Sequence, residues 1–385
     1  MKRYLTLLLS FCFATLSASS VFAPWGFAET SDNVDAYALG MGGVSIGNQF
    51  RINTSVVNPS NILTANNVKI ATAFTKKRVA WQVEGQAKKI DLNSYEFPYF
   101  NFIYPLKKQA FALAMNSGYL SNYDGGSTEK YETNIYRVGF VYGRKFNFLN
   151  LGVGAFNYGG SSKQKSSSFE MTGFLDNSFG FSAGFSKVYR DFSFGGVYTT
   201  AVDLADNVSL TSYSTDTTTS TKSYSMKLPN SYGAGLTYQI RSDLFFSTDI
   251  EYAVWKSSDF VKNSTNTFKY GFGISYSATR KSDKWYRTIP IRTGFFAKTL
   301  PFRANGKRVN EFGTTFGFSV PSKNQNNRID FALAYTQRGN KSKNLRSDKS
   351  FNITVGLMGF DIFTSKKTRK QKRDIPRADR YYEDF

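Results

Sequence analysis

Between Asn177 and Val188 the chain reads NSFGFSAGFSKV. Successive side chains of a strand point to opposite faces. Phe179, Phe181, Ala183 and Phe185 therefore share one face, and Gly180, Ser182, Gly184 and Ser186 share the other. A soluble sheet with one wet face alternates apolar with charged or amide residues. Here one face is bulky and aromatic and the other is small, which is the pattern of a sheet with lipid on one side. The same dyad returns at Tyr270, Phe272 and Ile274 against Gly271, Gly273 and Ser275. It returns again at Phe312, Phe316 and Phe318 against Gly313, Gly317 and Ser319. The small face reads as the inner one, with Gly180, Ser182, Gly184, Gly271 and Gly273 leaving room for a plug or a ligand path, or simply fitting the curvature of a wall.

Strand candidates follow one another from 67 to 363, each roughly as long as the 9–11 residues a tilted transmembrane strand needs. Fourteen are read, and helix-period spacing is scarce after Ala65. The connections alternate. Those at 77–95, 119–132, 158–176 and 202–225 read as long polar loops, whereas Leu106-Lys107, Tyr189-Arg190 and Arg241-Ser242 read as tight turns. Long loops on one side and short turns on the other are the habit of outer-membrane barrels. The fold class expected is all-β: a transmembrane antiparallel β-barrel of about 14 strands with a short N-terminal plug. Aromatics, at 17% with 37 Phe and 24 Tyr, agree with strands and membrane interfaces.

The ends of the chain set the compartment. Lys2 and Arg3 precede an apolar run from Tyr4 to Ala14, too short to span a bilayer and of secretory-leader length. Two small-x-Ala sites follow; Pro24 disfavours cleavage after Ala23, and Gly26-Phe27-Ala28 is preferred, giving a signal peptide over 1–28. Residues 29–66 form a glycine-rich, poorly periodic lead-in whose Val56, Val57, Ile62 and Leu63 want burial, a candidate hatch. The barrel occupies 67–363, and 364–385 is a basic periplasmic tail, SKKTRKQKRDIPRADRYYEDF from Ser365.

Composition removes most chemistry. The chain has no histidine, and its single cysteine, Cys12, lies in the leader. Imidazole-based triads, thiolate nucleophiles and thiolate metal sites are thereby excluded. Asp249 and Glu251 share a strand face, but one acidic pair makes a weak catalytic site. No enzymatic activity, cofactor or metal is expected. The net charge of +21 in a secreted chain points to outer-membrane lipid and lipopolysaccharide head groups, not to nucleic acid.

Four sequence pieces carry a resemblance. They are ALGMGG at 38–43 with VVNPSNIL at 56–63; LPNSYGAGLTYQI at 228–240 with DIEYAVW at 249–255; IRTGFFAKTLPF at 291–302 with NEFGTTFGFSVP at 310–321; and IDFALAYTQRGN at 329–340 with SFNITVGLMGFDIF at 350–363. In this order they resemble the FadL/TodX family of outer-membrane transport proteins, shorter PorV-like members included. Asn58-Pro59-Ser60 differs from the family's Asn-Pro-Ala only at its last residue. The resemblance implies a Gram-negative outer-membrane barrel of fourteen strands, plugged by a hatch that Asn58, Pro59 and Ser60 hold and that Gly40, Gly42 and Gly43 let pack closely. It implies passive uptake of a hydrophobic small-molecule ligand such as a long-chain fatty acid, with exit sideways through the wall. A role in protein secretion or surface attachment is the alternative, with the basic tail meeting a periplasmic or secretion partner.

Overall fold

The computed structural model describes residues 20–25, 29–30, 33–85, 90–124, 129–166, 169–212, 218–255, 261, 264–277, 288–321 and 327–359. The basic tail and most of the leader lie outside these residues. The wall has fourteen antiparallel strands. They are β1 (Lys69–Val83), β2 (in two pieces, Ile90–Glu96 and Tyr99–Leu106), β3 (Gln109–Asp124), β4 (Lys130–Lys145), β5 (Asn150–Lys165) and β6 (Phe169–Tyr189). Then come β7 (Phe192–Thr199 and Val202–Ser212), β8 (Thr218–Leu228 and Asn230–Arg241), β9 (Leu244–Val254) and β10 (Thr267–Tyr276). The last are β11 (Ile291–Ala304), β12 (Lys307–Pro321), β13 (Arg328–Arg338) and β14 (Arg346–Gly359). Each pairs with its sequence neighbour, and β14 closes on β1 from Arg346↔Val83 to Gly359↔Ile70. Closure matters because no water reaches a sheet edge in hydrocarbon, and an unpaired backbone group there costs several kcal/mol.

The wall alternates as the dyad requires. Phe179, Phe181 and Phe185 are exposed on the outside, and Gly180, Ser182, Gly184 and Ser186 are buried toward the lumen. The outward band is richly aromatic, with Phe140 at 73% and Phe179 at 69% exposure marking its middle. On β1 the band ends after Phe74, and the next outward residues are Lys76 and Arg78. An apolar exterior on a closed sheet makes this a membrane barrel of the outer-membrane type.

One sequence expectation is corrected. The long polar connections are mostly strand. The stretches 77–95, 119–132, 158–176 and 202–225 extend the ladders beyond the apolar band, and β7 pairs with β8 from Val202↔Leu228 to Ser212↔Thr218. Likewise β11 and β12 run on to a two-residue turn at Asn305-Gly306, where φ is 51° and 67°. Both positive angles are what an Asn-Gly hairpin turn supplies. Above the bilayer the outward face of a strand meets water, so the outward aromatic signal stops while the backbone ladder continues. The barrel therefore overhangs the membrane at this end, and the tight turns near 107, 190 and 242 lie at the other.

Residues 33–65 run inside the barrel and are almost wholly buried. The segment carries a single helical turn, α1 (Ala36–Leu39), and a 3₁₀ turn over Pro59–Thr64. Its path follows the inner circumference at the short-turn end. Ala36 lies against Gly356 of β14, Gly40 against Gly317 of β12, and Met41 against Gly273 of β10. Farther on, Gly47 lies against Gly235 of β8, Pro59 against Gly152 of β5, and Leu63 against Gly143 of β4.

Placing a charge on the lipid face tests the orientation of the wall. Phe140→Arg is expected to destabilise the barrel by about 2–4 kcal/mol, the cost of arginine near the bilayer midplane. Urea titration of folding in vesicles measures it.

Candidate functional site: the filled lumen and the split in its wall

The inner segment is held by the backbone first. Asn58 caps the 3₁₀ turn: its Oδ1 accepts from Ser60 N at 3.1 Å, and its Nδ2 donates to Ile46 O and Phe185 O, both at 3.0 Å. Proline at the first position of that turn has no N–H to leave orphaned. Ser60 Oγ is 2.9 Å from Ser186 Oγ on β6. Gly42 N donates to Thr315 Oγ1 of β12 at 2.8 Å, and Gly43 N closes α1 on Ala38 O at 2.9 Å. Gly42 and Gly43 adopt φ of 71° and 74°, a left-handed conformation that glycine takes without steric cost. At Gly40 a Cβ would lie 2.8 Å from Arg292 Nε, and at Gly42 it would lie 2.5 Å from Phe272 O.

The wall glycines read from sequence divide into two sets. A Cβ on Gly184 would meet Asn58, one on Gly271 would meet the Gly42 carbonyl, and one on Gly273 would meet Met41. These three make room for the inner segment. Gly180 is different: its neighbours are Val202 and Tyr158, side chains that line a cavity. The Ser182 hydroxyl, also buried, lies beside Gly154.

Sequence reasoning missed the charges that lock the segment. Asp35 caps α1 by accepting from Ala38 N at 2.9 Å, and Arg51 grips it with two bonds, at 2.7 and 2.9 Å. Arg328 of β13 stands 3.9 Å from Asp35 and 2.8 Å from Asp330. Arg292 of β11 donates to Tyr37 O at 2.8 Å and Ser319 Oγ at 2.7 Å, placing a cation at the C-terminal end of α1. The Tyr37 ring sits among all three guanidiniums, 4.4, 4.1 and 4.9 Å from Arg51, Arg292 and Arg328. Two strands from Arg292, on β9, Asp249 accepts from Ser45 N at 2.6 Å and Ile46 N at 2.8 Å. Its strand neighbour Glu251 pairs with Lys269 at 2.8 Å. The acidic pair therefore divides between holding the segment and facing the lumen. Inward parity was the available signal: Arg292 shares its face with Gly294, and Asp249 with Ser247.

Two cavities lie in the lumen. One, of about 140 Å³, is lined by Tyr119, Tyr158, Val202, Trp255, Leu300 and Arg137, among others. Arg137 is 5% exposed and lies 4.4 Å from the Phe156 ring, yet its Nε and Nη2 have no hydrogen-bond partner. The other, of about 160 Å³, has Lys77, Glu96, Glu311 and Arg338 on its walls. Lys298 lines both.

Both cavities reach a split in the wall. β2 breaks at Phe97-Pro98, where proline offers no N–H to a ladder. Its outer piece, Ile90–Glu96, pairs with β1, and Tyr99–Leu106 pairs with β3. β3 carries a bulge opposite the break, its register with β4 shifting between Ser117 and Tyr119. Among the described residues no ladder joins the outer piece of β2 to β3; the chain's own Glu29–Thr30 pairs there instead, with Leu120 and Tyr119. Glu96, Pro98, Ser117 and Leu120 line the second cavity at this split, and Gly118 and Tyr119 line the first.

A wall parted at a proline break, beside a lumen filled by an N-terminal segment, can be compared with known barrels. The structure of a Pseudomonas aeruginosa FadL homologue superposes with a TM-score of 0.65 at 11% identity, covering 87% of this chain and 99% of that one. The chain has the fold of the FadL/TodX channels. The CymD monoaromatic hydrocarbon channel matches with a TM-score of 0.64 at 13% identity over 86% of this chain and 98% of that one. The Pseudomonas putida toluene transporter TodX gives 0.58 at 14% identity, with 84% and 97% covered. The sequence family described as BamG matches residues 196–368. No curated protein matches the sequence.

Burial opposes the charge on Asp35, but the charge and hydrogen bonds of Arg51, then the charge of Arg328, hold its carboxyl below the ordinary carboxylate range. A carboxyl lowered in the folded state stabilises fully above its unfolded value of about 4 and loses that contribution only as pH falls through the folded value. The hold of Asp35 on α1 and Arg51 should thus persist from pH 7 to about pH 4. Asp35→Asn, which leaves Arg51 and Arg328 short of an anion, is expected to loosen it by about 3–5 kcal/mol at neutral pH. Hydrogen exchange over residues 35–55 measures both.

Proposed function

We propose that this barrel is a plugged passive channel for hydrophobic compounds in an outer membrane, and that its ligands are amphiphiles with an anionic head, such as long-chain fatty acids. The observation that carries the reading is the cavity at Arg137. A buried guanidinium with unpartnered Nε and Nη2 is costly unless an anion completes it, and a guanidinium forks well onto a carboxylate. Tyr119, Tyr158, Val202, Trp255 and Leu300 around it offer apolar surface to a chain. Two of the similar structures, CymD and TodX, are described as a monoaromatic hydrocarbon channel and a toluene transporter, whose ligands are neutral molecules. In this reading Arg137 extends the range of the present chain to carboxylates.

The route uses the split at Pro98. A ligand held beside Tyr119 lies next to the gap between β2 and β3, which begins at the rim of the apolar band beside exposed Phe74 and Phe97, and it leaves sideways there toward lipid. With about 140 and 160 Å³, neither cavity holds a long-chain acid whole, so passage needs the inner segment to shift. Asn58, Pro59 and Ser60 act as its anchor, and Gly40, Gly42 and Gly43 as the close-packed turn that must move.

Liposomes carrying the purified barrel should take up labelled fatty acid faster than protein-free liposomes; equal rates would overturn the reading. Arg137→Met keeps the volume and removes the charge. It is expected to weaken fatty-acid binding about 10- to 100-fold, the worth of a charge-assisted hydrogen bond, and to leave toluene uptake unchanged.

A further inference from the structure

We propose that Ser20–Trp25 are part of the mature protein, where they plug the outer mouth of the barrel, and that leader cleavage falls between Ala18 and Ser19. The sequence motif at Gly26-Phe27-Ala28 would instead remove this stretch with the leader.

The placement of these residues is the first observation. Ser20, Val21, Phe22 and Ala23 are 4%, 0%, 0% and 3% exposed. Val21 and Phe22 belong to the same apolar cluster as Trp81, Leu300, Phe302 and Val309, which lie at the overhanging end of the wall. The Phe22 ring is 6.2 Å from that of Phe302. A Cβ on Gly339 would come within 2.3 Å of the Phe22 ring, so the wall is shaped around it.

The polar contacts are equally specific. Ser20 Oγ donates to buried Asp348 of β14. Arg346 stacks over the Trp25 ring at 4.1 Å and reaches Val21 O at 3.4 Å. Ser20 N donates to Asn122 O at 3.1 Å, on β3, the strand whose Tyr119 and Leu120 pair with Glu29–Thr30. The stretch therefore meets β3 at two places, beside the split that the outer piece of β2 leaves unpaired. Cleavage after Ala28 would strip Phe302 and Gly339 of their partner, leave Asp348 without the Ser20 hydroxyl, and leave β3 with only the two-residue pairing.

The leader allows the earlier site. The apolar run ends at Ala14, and Leu16-Ser17-Ala18 follows, with Ala18 small at the position before the bond and Leu16, uncharged and non-aromatic, three positions before it. Hydrolysis there adds water across the Ala18–Ser19 amide. Ala18 leaves as the carboxyl end of the leader, and Ser19 keeps the new amine. The outcome is a tethered stopper, joined to the inner segment through residues 26–32, so that the lumen is filled from both ends by one continuous N-terminal chain.

The test does not depend on what the lumen carries. N-terminal sequencing and intact mass of the protein purified from membranes should give Ser19 as the first residue. A first residue of Pro24 or Glu29 would overturn the proposal. Location is tested by Ser20→Cys with Asp348→Cys, in a mature chain that has no other cysteine. A disulfide seen as a mobility shift on non-reducing gels is expected. Two titratable thiols in the folded barrel would overturn the seating.

Discussion

The constraint on which everything else depends is the hydrocarbon around the wall. A strand in lipid must give every N–H and C=O a partner, and the only arrangement that does so leaves no edge. The β14–β1 ladder is therefore as necessary as any core contact. Where the wall departs from full pairing, it does so with proline at 98 and a bulge at Gly118, and the chain's own N-terminal strand supplies part of what β2 withholds. A defect of this kind is tolerated because it faces a polar lumen and is lined by Glu96 and Ser117.

The second dependency is between wall and filling. Glycine weakens a strand, yet Gly152, Gly235, Gly271, Gly273 and Gly294 all face inward where another backbone runs against them. The wall gives up side chains so that the inner segment can lie flat on it. Charge then fixes what contact alone leaves sliding: Arg292 and Asp249 hold the two halves of the segment through its backbone, and Arg51 ties Asp35 within it.

Much of this was legible in the chain. Aromatic residues two apart, with glycine and serine between them, give the wall and both its faces, because the bilayer enforces period two. Asn58-Pro59-Ser60 was legible as a motif, and the structure places it at a capped turn against β6. Strand ends were not: Thr218–Ser225 carries no aliphatic residue, and above the lipid hydropathy there does not separate a ladder from a loop. The locking charges were hidden for another reason. Arg292 and Arg328 look like ordinary surface cations until their parity is read against inward neighbours such as Gly294 and Ala332, and their partners lie some 255 to 293 positions away in the chain. The wall split was half legible, since Pro98 marks a break but the bulge opposite it depends on pairing.

The reach of the inner segment has a consequence for assembly. Residues 36–63 are made before any strand of the wall, yet they touch β4 near one extreme of the chain and Gly356 of β14 at the other. Their seat is complete only when the final hairpin arrives and closes on β1. Contacts of such long sequence separation form late, so closing the wall and stoppering it become one event. A barrel built this way need never stand open in the membrane during its own construction.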